Sequence, residues 1–197
     1  MKKITLVVVV FFVTLFVHSQ EAVFGVKGGA NASLFGSKVD TKIGFQAGVF
    51  SKIKLVDNWY LQPEVLYLQQ AVKRDDFSIG LATFENGAIK LSYMYVPVMV
   101  KYYPVEKWFL EVGPQLGFLL NTKASAEYAG ERVEPDVHDE FEKMDFGVSG
   151  GSGYDFNDHF SVALRYYVGV SKMSSSEYVS DFYNRNSILS LSVAYSF

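Results

Sequence analysis

The side chains in this 197-residue chain that could do chemistry are few, and their spacing narrows what that chemistry would be. Nucleophilic catalysis needs a base within hydrogen-bond reach of its nucleophile. Beyond the N-terminal segment the histidines are His138 and His159. His159 stands in the short turn Asn157-Asp158-His159. His138 stands in the acidic run Glu134-Pro135-Asp136-Val137-His138-Asp139-Glu140, with no serine close by in sequence. Ser174, from another connection, is the alternative nucleophile, and the geometry it would need has no support in the spacing. The acidic run offers Glu134, Asp136, Asp139 and Glu140 to a divalent cation, yet it lacks the glycine and ordered oxygen positions of a calcium loop. Charge clusters in loops normally face water. Gly147, Gly151 and Gly153 recur at strand period rather than in a turn before a helix, so they make no dinucleotide fingerprint. There is no cysteine, which removes thiolate chemistry, disulfides and a lipoprotein anchor. The expectation is a non-enzymatic protein with no catalytic residue, no cofactor and no metal site.

A second set of residues is more telling. Lys27, Gln46, Glu64, Lys101, Glu111, Gln115 and Arg165 each interrupt an apolar stretch at alternate positions. If they share an interior, their charges must pair or be solvated, because an unpaired buried charge is costly. Either they form a salt-bridged plug, with Glu64 or Glu111 pairing with Lys101 or Arg165, or they line a small ion pore.

Strands must position them. From Trp108 to Asn121, one face reads Trp108, Leu110, Val112, Pro114, Leu116, Phe118, Leu120, with no polar side chain. The other reads Phe109, Glu111, Gly113, Gln115, Gly117, Leu119, Asn121. Alternate side chains of a strand point to opposite sides, so this is one long strand with an apolar face. Strands of globular cores average about 5–6 residues, whereas about 9–11 tilted residues cross a bilayer.

Eight segments carry such patterning, approximately Val23 to Leu34, Lys42 to Leu55, Trp59 to Lys73, Ala88 to Tyr103, Trp108 to Lys123, Lys143 to Phe156, Phe160 to Met173, and Ser187 to Phe197. Short turns at Val56-Asp57-Asn58, Pro104-Val105-Glu106-Lys107 and Asn157-Asp158-His159 alternate with long polar connections at Phe35 to Thr41, Arg74 to Gly87, Ala124 to Glu142 and Ser174 to Asn186. This is the plan of an all-β, eight-stranded antiparallel up-and-down transmembrane barrel, its N- and C-termini on the periplasmic side with the short turns.

A soluble lipocalin-like barrel alternates too, with its apolar face inward. The polar face discriminates: Asp145, Gly147, Ser149, Gly151, Gly153, Asp155 in the sixth segment and Ser190, Ser192, Ala194, Ser196 in the eighth. A wet exterior would favour Thr, Lys and Glu, whereas a narrow lumen wants small side chains. Trp59, Tyr60, Tyr102, Tyr103, Trp108, Phe109, Phe156, Phe160, Tyr195 and Phe197 cluster beside the short turns or the C-terminus, as an interfacial girdle would. Pro63, Pro97 and Pro114 fit poorly. Each removes a ladder donor, and bulges that shift the face assignment are the expected remedy.

The chain opens with Met1-Lys2-Lys3, an uncharged apolar run from Ile4 to Val17, then His18-Ser19-Gln20, the plan of a signal peptide over 1–19 with cleavage after Ser19. The barrel domain is then 20–197. Without Lys2 and Lys3, 16 basic residues face 21 acidic ones, so no nucleic-acid partner is expected.

Phe24-Gly25-Val26-Lys27-Gly28-Gly29-Ala30-Asn31 resembles the opening strand of the PorT-like family of small Gram-negative outer-membrane β-barrels. So do Leu61-Gln62-Pro63-Glu64-Val65-Leu66-Tyr67, Tyr95-Val96-Pro97-Val98-Met99-Val100-Lys101-Tyr102-Tyr103 and Leu110-Glu111-Val112-Gly113-Pro114-Gln115-Leu116-Gly117. The closing Tyr195-Ser196-Phe197 is similar to the terminal signal read by the outer-membrane barrel assembly machinery, with Leu191 and Val193 at the alternate positions before it. The resemblance implies a place in the outer membrane among its lipids and no shared catalytic motif. The expected role is a loop-presenting scaffold or a subunit of an envelope or secretion assembly with a protein partner. The alternative is a small porin-like channel or ligand-binding barrel.

Overall fold

In a computed structural model of the chain, residues 22–34, 40–74, 77–79, 82–128, 131–133, 142–170 and 186–197 are described. The predicted signal peptide, the acidic run with His138, and Ser174 lie outside them. Alternation at period two becomes ten strands: β1 (Ala22–Ser33), β2 (Asp40–Val56), β3 (Trp59–Arg74), β4 (Phe77–Ile79), β5 (Ala82–Val105), β6 (Trp108–Tyr128), β7 (Glu131–Val133), β8 (Met144–Asp155), β9 (Phe160–Gly169) and β10 (Ser187–Ser196). Eight of them close a ring in the order β1-β2-β3-β5-β6-β8-β9-β10, every pairing is antiparallel, and β10 returns to β1. The eight-stranded up-and-down barrel is therefore present.

The other two strands correct the expected connections. β4 and β7 pair only with β5 and β6 respectively, carrying those hairpins onward past the ring. Much of Arg74 to Gly87 and the start of Ala124 to Glu142, expected to be polar connections, is strand. Charged and polar residues in those stretches hid the alternation. Cross-strand pairing defines the strand ends there, and hydropathy does not mark them.

The register fixes the barrel's shape. Ala22 pairs with Ile53, and the row continues through Leu61, Val100, Val112, Gly150, Tyr166 and Leu189 to Ala32. One circuit thus returns ten residues further along β1. With a rise of about 3.3 Å and a strand spacing of about 4.8 Å, that stagger over eight strands means a tilt of about 40°.

The faces are unambiguous. On β6, Trp108, Leu110, Val112 and Leu120 are exposed, while Phe109, Glu111 and Gln115 are buried. On β8, Met144, Phe146, Val148 and Tyr154 are exposed. Ten residues at that tilt rise about 25 Å, the height of the apolar band of an outer-membrane barrel. Water would meet this band directly in a soluble lipocalin-like arrangement, so the lipid-facing reading holds.

The prolines do not act as expected. The β3–β5 register is the same on either side of Pro63, and the β5–β6 register is the same on either side of Pro97. The ladder opens instead: no pairing is made between Pro63↔Val98 and Leu66↔Tyr95, nor between Pro97↔Gln115 and Val100↔Val112. The β6–β8 ladder runs through Pro114↔Val148 without interruption. Each proline opens one ladder without shifting it. Pro63 lies in a gap of the β2–β3 pairing between Phe50↔Glu64 and Ile53↔Leu61, Pro97 in the β3–β5 gap and Pro114 in the β5–β6 gap, so no face assignment moves at them. Register shifts lie elsewhere, at Lys42/Phe45, Lys54/Val56, Glu85/Ala88, Ser92/Tyr93 and Tyr102/Val105.

Candidate functional site

The inward positions of β1, β3, β5, β6 and β9 bring Lys27, Glu64, Lys101, Glu111 and Arg165 together in the lumen, each no more than 7% exposed. Glu64 is the hub. Arg165 Nη1 donates to its Oε2 and Nη2 to its Oε1, both at 2.9 Å. Lys27 Nζ donates to Oε1 at 2.8 Å and Gln62 Nε2 donates to the same oxygen at 2.6 Å. Arg165 Nε donates to Glu111 Oε1 at 2.8 Å, and Lys101 Nζ stands 3.7 Å from Glu111 Oε2 and 3.8 Å from the centre of the Phe109 ring. Three cations thus meet two carboxylates, and the fork of Arg165 spans both. Bidentate geometry of this kind gives the strongest charge-assisted pairs, and this pairing offsets much of the cost of burying the charges. Glu111 Oε2, however, accepts no hydrogen bond among the described residues and has only Lys101 nearby.

Small inward residues leave room for the layer. A Cβ on Gly151 would stand 3.0 Å from Arg165 Cα and 3.3 Å from Glu111 Oε1, against the backbone of β9. Gly151→Val is accordingly expected to lower stability by about 1–3 kcal/mol through overpacking, measured as a lower urea midpoint for the folded barrel in lipid vesicles. An unchanged midpoint would mean the layer is looser than these distances imply.

Further along the lumen, Ser149 Oγ donates to Gln115 Oε1 at 2.8 Å. Beyond it, Tyr95 OH donates to Asp145 Oδ2 at 2.7 Å, and Asn186 Nδ2 reaches Asp145 Oδ2 at 2.8 Å and Tyr95 OH at 2.9 Å. Tyr95 packs on Tyr93 and Tyr167 with ring centres 5.4 and 5.6 Å away. Tyr95, Asn186 and Gln62 escaped the sequence reading. Asn186 was assigned to a connection, and a tyrosine in an aromatic-rich strand carries no signal of its direction.

At the short-turn end, Lys52 Nζ donates to Tyr103 OH at 2.7 Å, stands 3.3 Å from Asp155 Oδ2, and lies 4.8 Å from the centres of both the Tyr60 and Tyr103 rings. Tyr103 OH donates to Asp155 Oδ2 at 2.8 Å. These groups line an open cleft of about 460 Å³. Phe109 is fully buried, so it fills the lumen and is no part of the expected girdle; Tyr60 and Tyr103 also turn toward Lys52. The cause is parity, since the neighbours of outward Trp59, Tyr102 and Trp108 must point inward. Trp59 on Tyr102, Tyr154 on Phe156, and Phe160 and Phe197 on Tyr195 are outer ring contacts at this end.

Nothing among the described residues assembles reactive machinery. His159 Nδ1 donates to the Ser196 carbonyl at 2.8 Å and its ring stacks on Tyr195, so it ties the turn to the last strand. No group of three or more His, Cys, Asp or Glu among the described residues could hold a metal ion.

Residues 18–175 match the model of the family described as outer membrane protein beta-barrel domain. The chain belongs to that family. This barrel therefore lies in the outer membrane. Ail, the attachment invasion locus protein of Yersinia pestis, shares the fold at a TM-score of 0.53 and 17% identity over 90% of this chain and 100% of that one. Neisserial surface protein A does so at 0.53 and 14% identity, with the same coverage. At these identities the likeness concerns the fold alone. No curated protein matches the sequence.

Proposed function

We propose that this outer-membrane barrel is a closed, non-enzymatic scaffold that interacts through its long connections. They would face the cell exterior, and the short turns and both chain ends the periplasm. The observation that carries this reading is the filled lumen: five paired charges, Gln62 and the Phe109 ring occupy the section through Glu64. An eight-stranded barrel has an interior just wide enough for side chains to fill, and here they fill it with paired groups. The four sequence blocks quoted above support a PorT-like member of the family, presenting loops or serving as a subunit of an envelope or secretion assembly. Crosslinking in intact cells followed by purification is expected to bring down one reproducible envelope protein. A barrel that never crosslinks, and conducts instead, would end this reading.

The last strand supports a further expectation. Tyr195 and Phe197 are exposed with Leu191 and Val193 on the outward face, as a recognition strip for the assembly machinery requires. Phe197→Ala is expected to remove most of the heat-modifiable folded band from the outer-membrane fraction, with precursor accumulating. Wild-type levels of folded Phe197→Ala protein would dismiss the signal.

A further inference from the structure

On the outward surface, at the end away from the short turns, β5 sets Lys90 directly opposite Lys123 of β6. The adjoining pair, Leu91 and Thr122, fixes their direction. Leu91 is 1% exposed and faces the lumen, so the two lysines beside it point outward, and both are exposed. Directly opposed residues of an antiparallel pair have Cβ atoms about 4.5–5.5 Å apart, where like charges repel. Among the described residues, neither ammonium has a carboxylate partner. The same register row continues through Ala71 of β3 to Lys42 of β2, placing a third lysine in line.

The level of this row matters. Leu120 on β6 and Ile43 on β2, both exposed, sit within three residues of Lys123 and Lys42 on the short-turn side. The lysines therefore stand where the apolar band stops, at the depth of lipid headgroups. Among the described residues, no carboxylate pairs with Lys90 or Lys123 to relieve their repulsion. A phosphate does: it presents several oxygens to two ammonium groups at once and carries the charge they lack.

We propose that Lys90 and Lys123 clamp a phosphate of a phosphorylated glycolipid headgroup in the surrounding leaflet. The assignment to the outer leaflet rests on the orientation proposed above; the clamp itself does not. Lysines are compact, strongly hydrated point charges suited to a mobile headgroup rather than to one fixed geometry.

The full chain, folded in detergent, is titrated with purified bisphosphorylated lipid A and the bound lipid counted by native mass spectrometry. The wild type is expected to retain lipid A, and Lys90→Gln with Lys123→Gln to weaken retention about tenfold. Lys54→Gln with Lys107→Gln, at the opposite end, is expected to bind as the wild type does, and fully dephosphorylated lipid as weakly as the first double variant. Heat-modifiable migration shows that each variant is folded. Equal retention by the Lys90/Lys123 variant, or by the dephosphorylated lipid, would overturn the clamp. Displacement of lipid A by equimolar inorganic phosphate would overturn its assignment to a lipid. Orientation is read separately. The chain has no cysteine, so Asn58→Cys in a short turn is a unique label site. Its reaction with an impermeant maleimide on intact cells would reverse the orientation and leave the clamp measured in detergent untouched.

Discussion

Glu64→Gln is expected to lower the unfolding free energy of the barrel by about 3–5 kcal/mol, the usual cost of removing one partner from a buried ion pair. Glu64 is fully buried and accepts from Lys27, Gln62 and both terminal nitrogens of Arg165. Glutamine keeps the shape but turns an NH₂ toward those donors and withdraws one of the two negative charges. Three cations then face Glu111 alone, in a lumen too full to hydrate them. Urea unfolding in lipid vesicles, followed by tryptophan emission and gel migration, measures the change. Glu106→Gln, in an exposed turn, serves as the control and is expected to stay within about 0.5 kcal/mol of wild type. Arg165→Gln completes a double-mutant cycle, with an expected coupling of about 0.5–3 kcal/mol. A loss below 1 kcal/mol for Glu64→Gln would mean that the layer is hydrated and contributes little.

The second large effect is on conductance. The wild type is expected to pass no steady current steps in planar bilayers. Glu64→Ala combined with Arg165→Ala is expected to pass reproducible ones. The double change removes both the hub carboxylate and the guanidinium fork that bridges Glu64 to Glu111, one charge of each sign, and leaves Lys27 for entering water to solvate. What remains is a polar gap leading from the open cleft beside Lys52 toward Gln115 and Ser149. Polar gaps of that size take up water. Steady steps from the wild type would replace the closed scaffold with a small pore, and the cleft would then be its vestibule.

Much of this is legible in the residues alone. The faces of Trp108–Asn121 follow from side-chain period alone, and Glu111, Gln115, Lys27, Lys101 and Arg165 were assigned inward on that basis. Other features were not legible, for identifiable reasons. The far ends of β5 and β6 carry charged and polar residues that break the alternation, so only cross-strand pairing marks them as strand. The prolines suggest bulges because a single strand cannot show that the ladder opens around the missing donor and resumes in the same register. Phe109 was placed in the girdle because proximity to a turn is visible in sequence, whereas parity at a turn depends on where the ladder begins. Lys90 and Lys123 are ordinary lysines 33 positions apart; only a register makes them neighbours.

The sequence by itself determined the class of the fold, its alternating faces and the identity of the charges inside, because each depends on a local period of two and on the high cost of placing charge against lipid. Which charges meet was settled only by closure. Lys27, Glu64, Lys101, Glu111 and Arg165 come from five strands, and a ten-residue stagger over eight strands decides which of them share a level. A stagger changed by two residues would keep every face as it is and still pull Arg165 away from Glu64. Local chemistry sets the faces; the pairing across the lumen is a property of the ring.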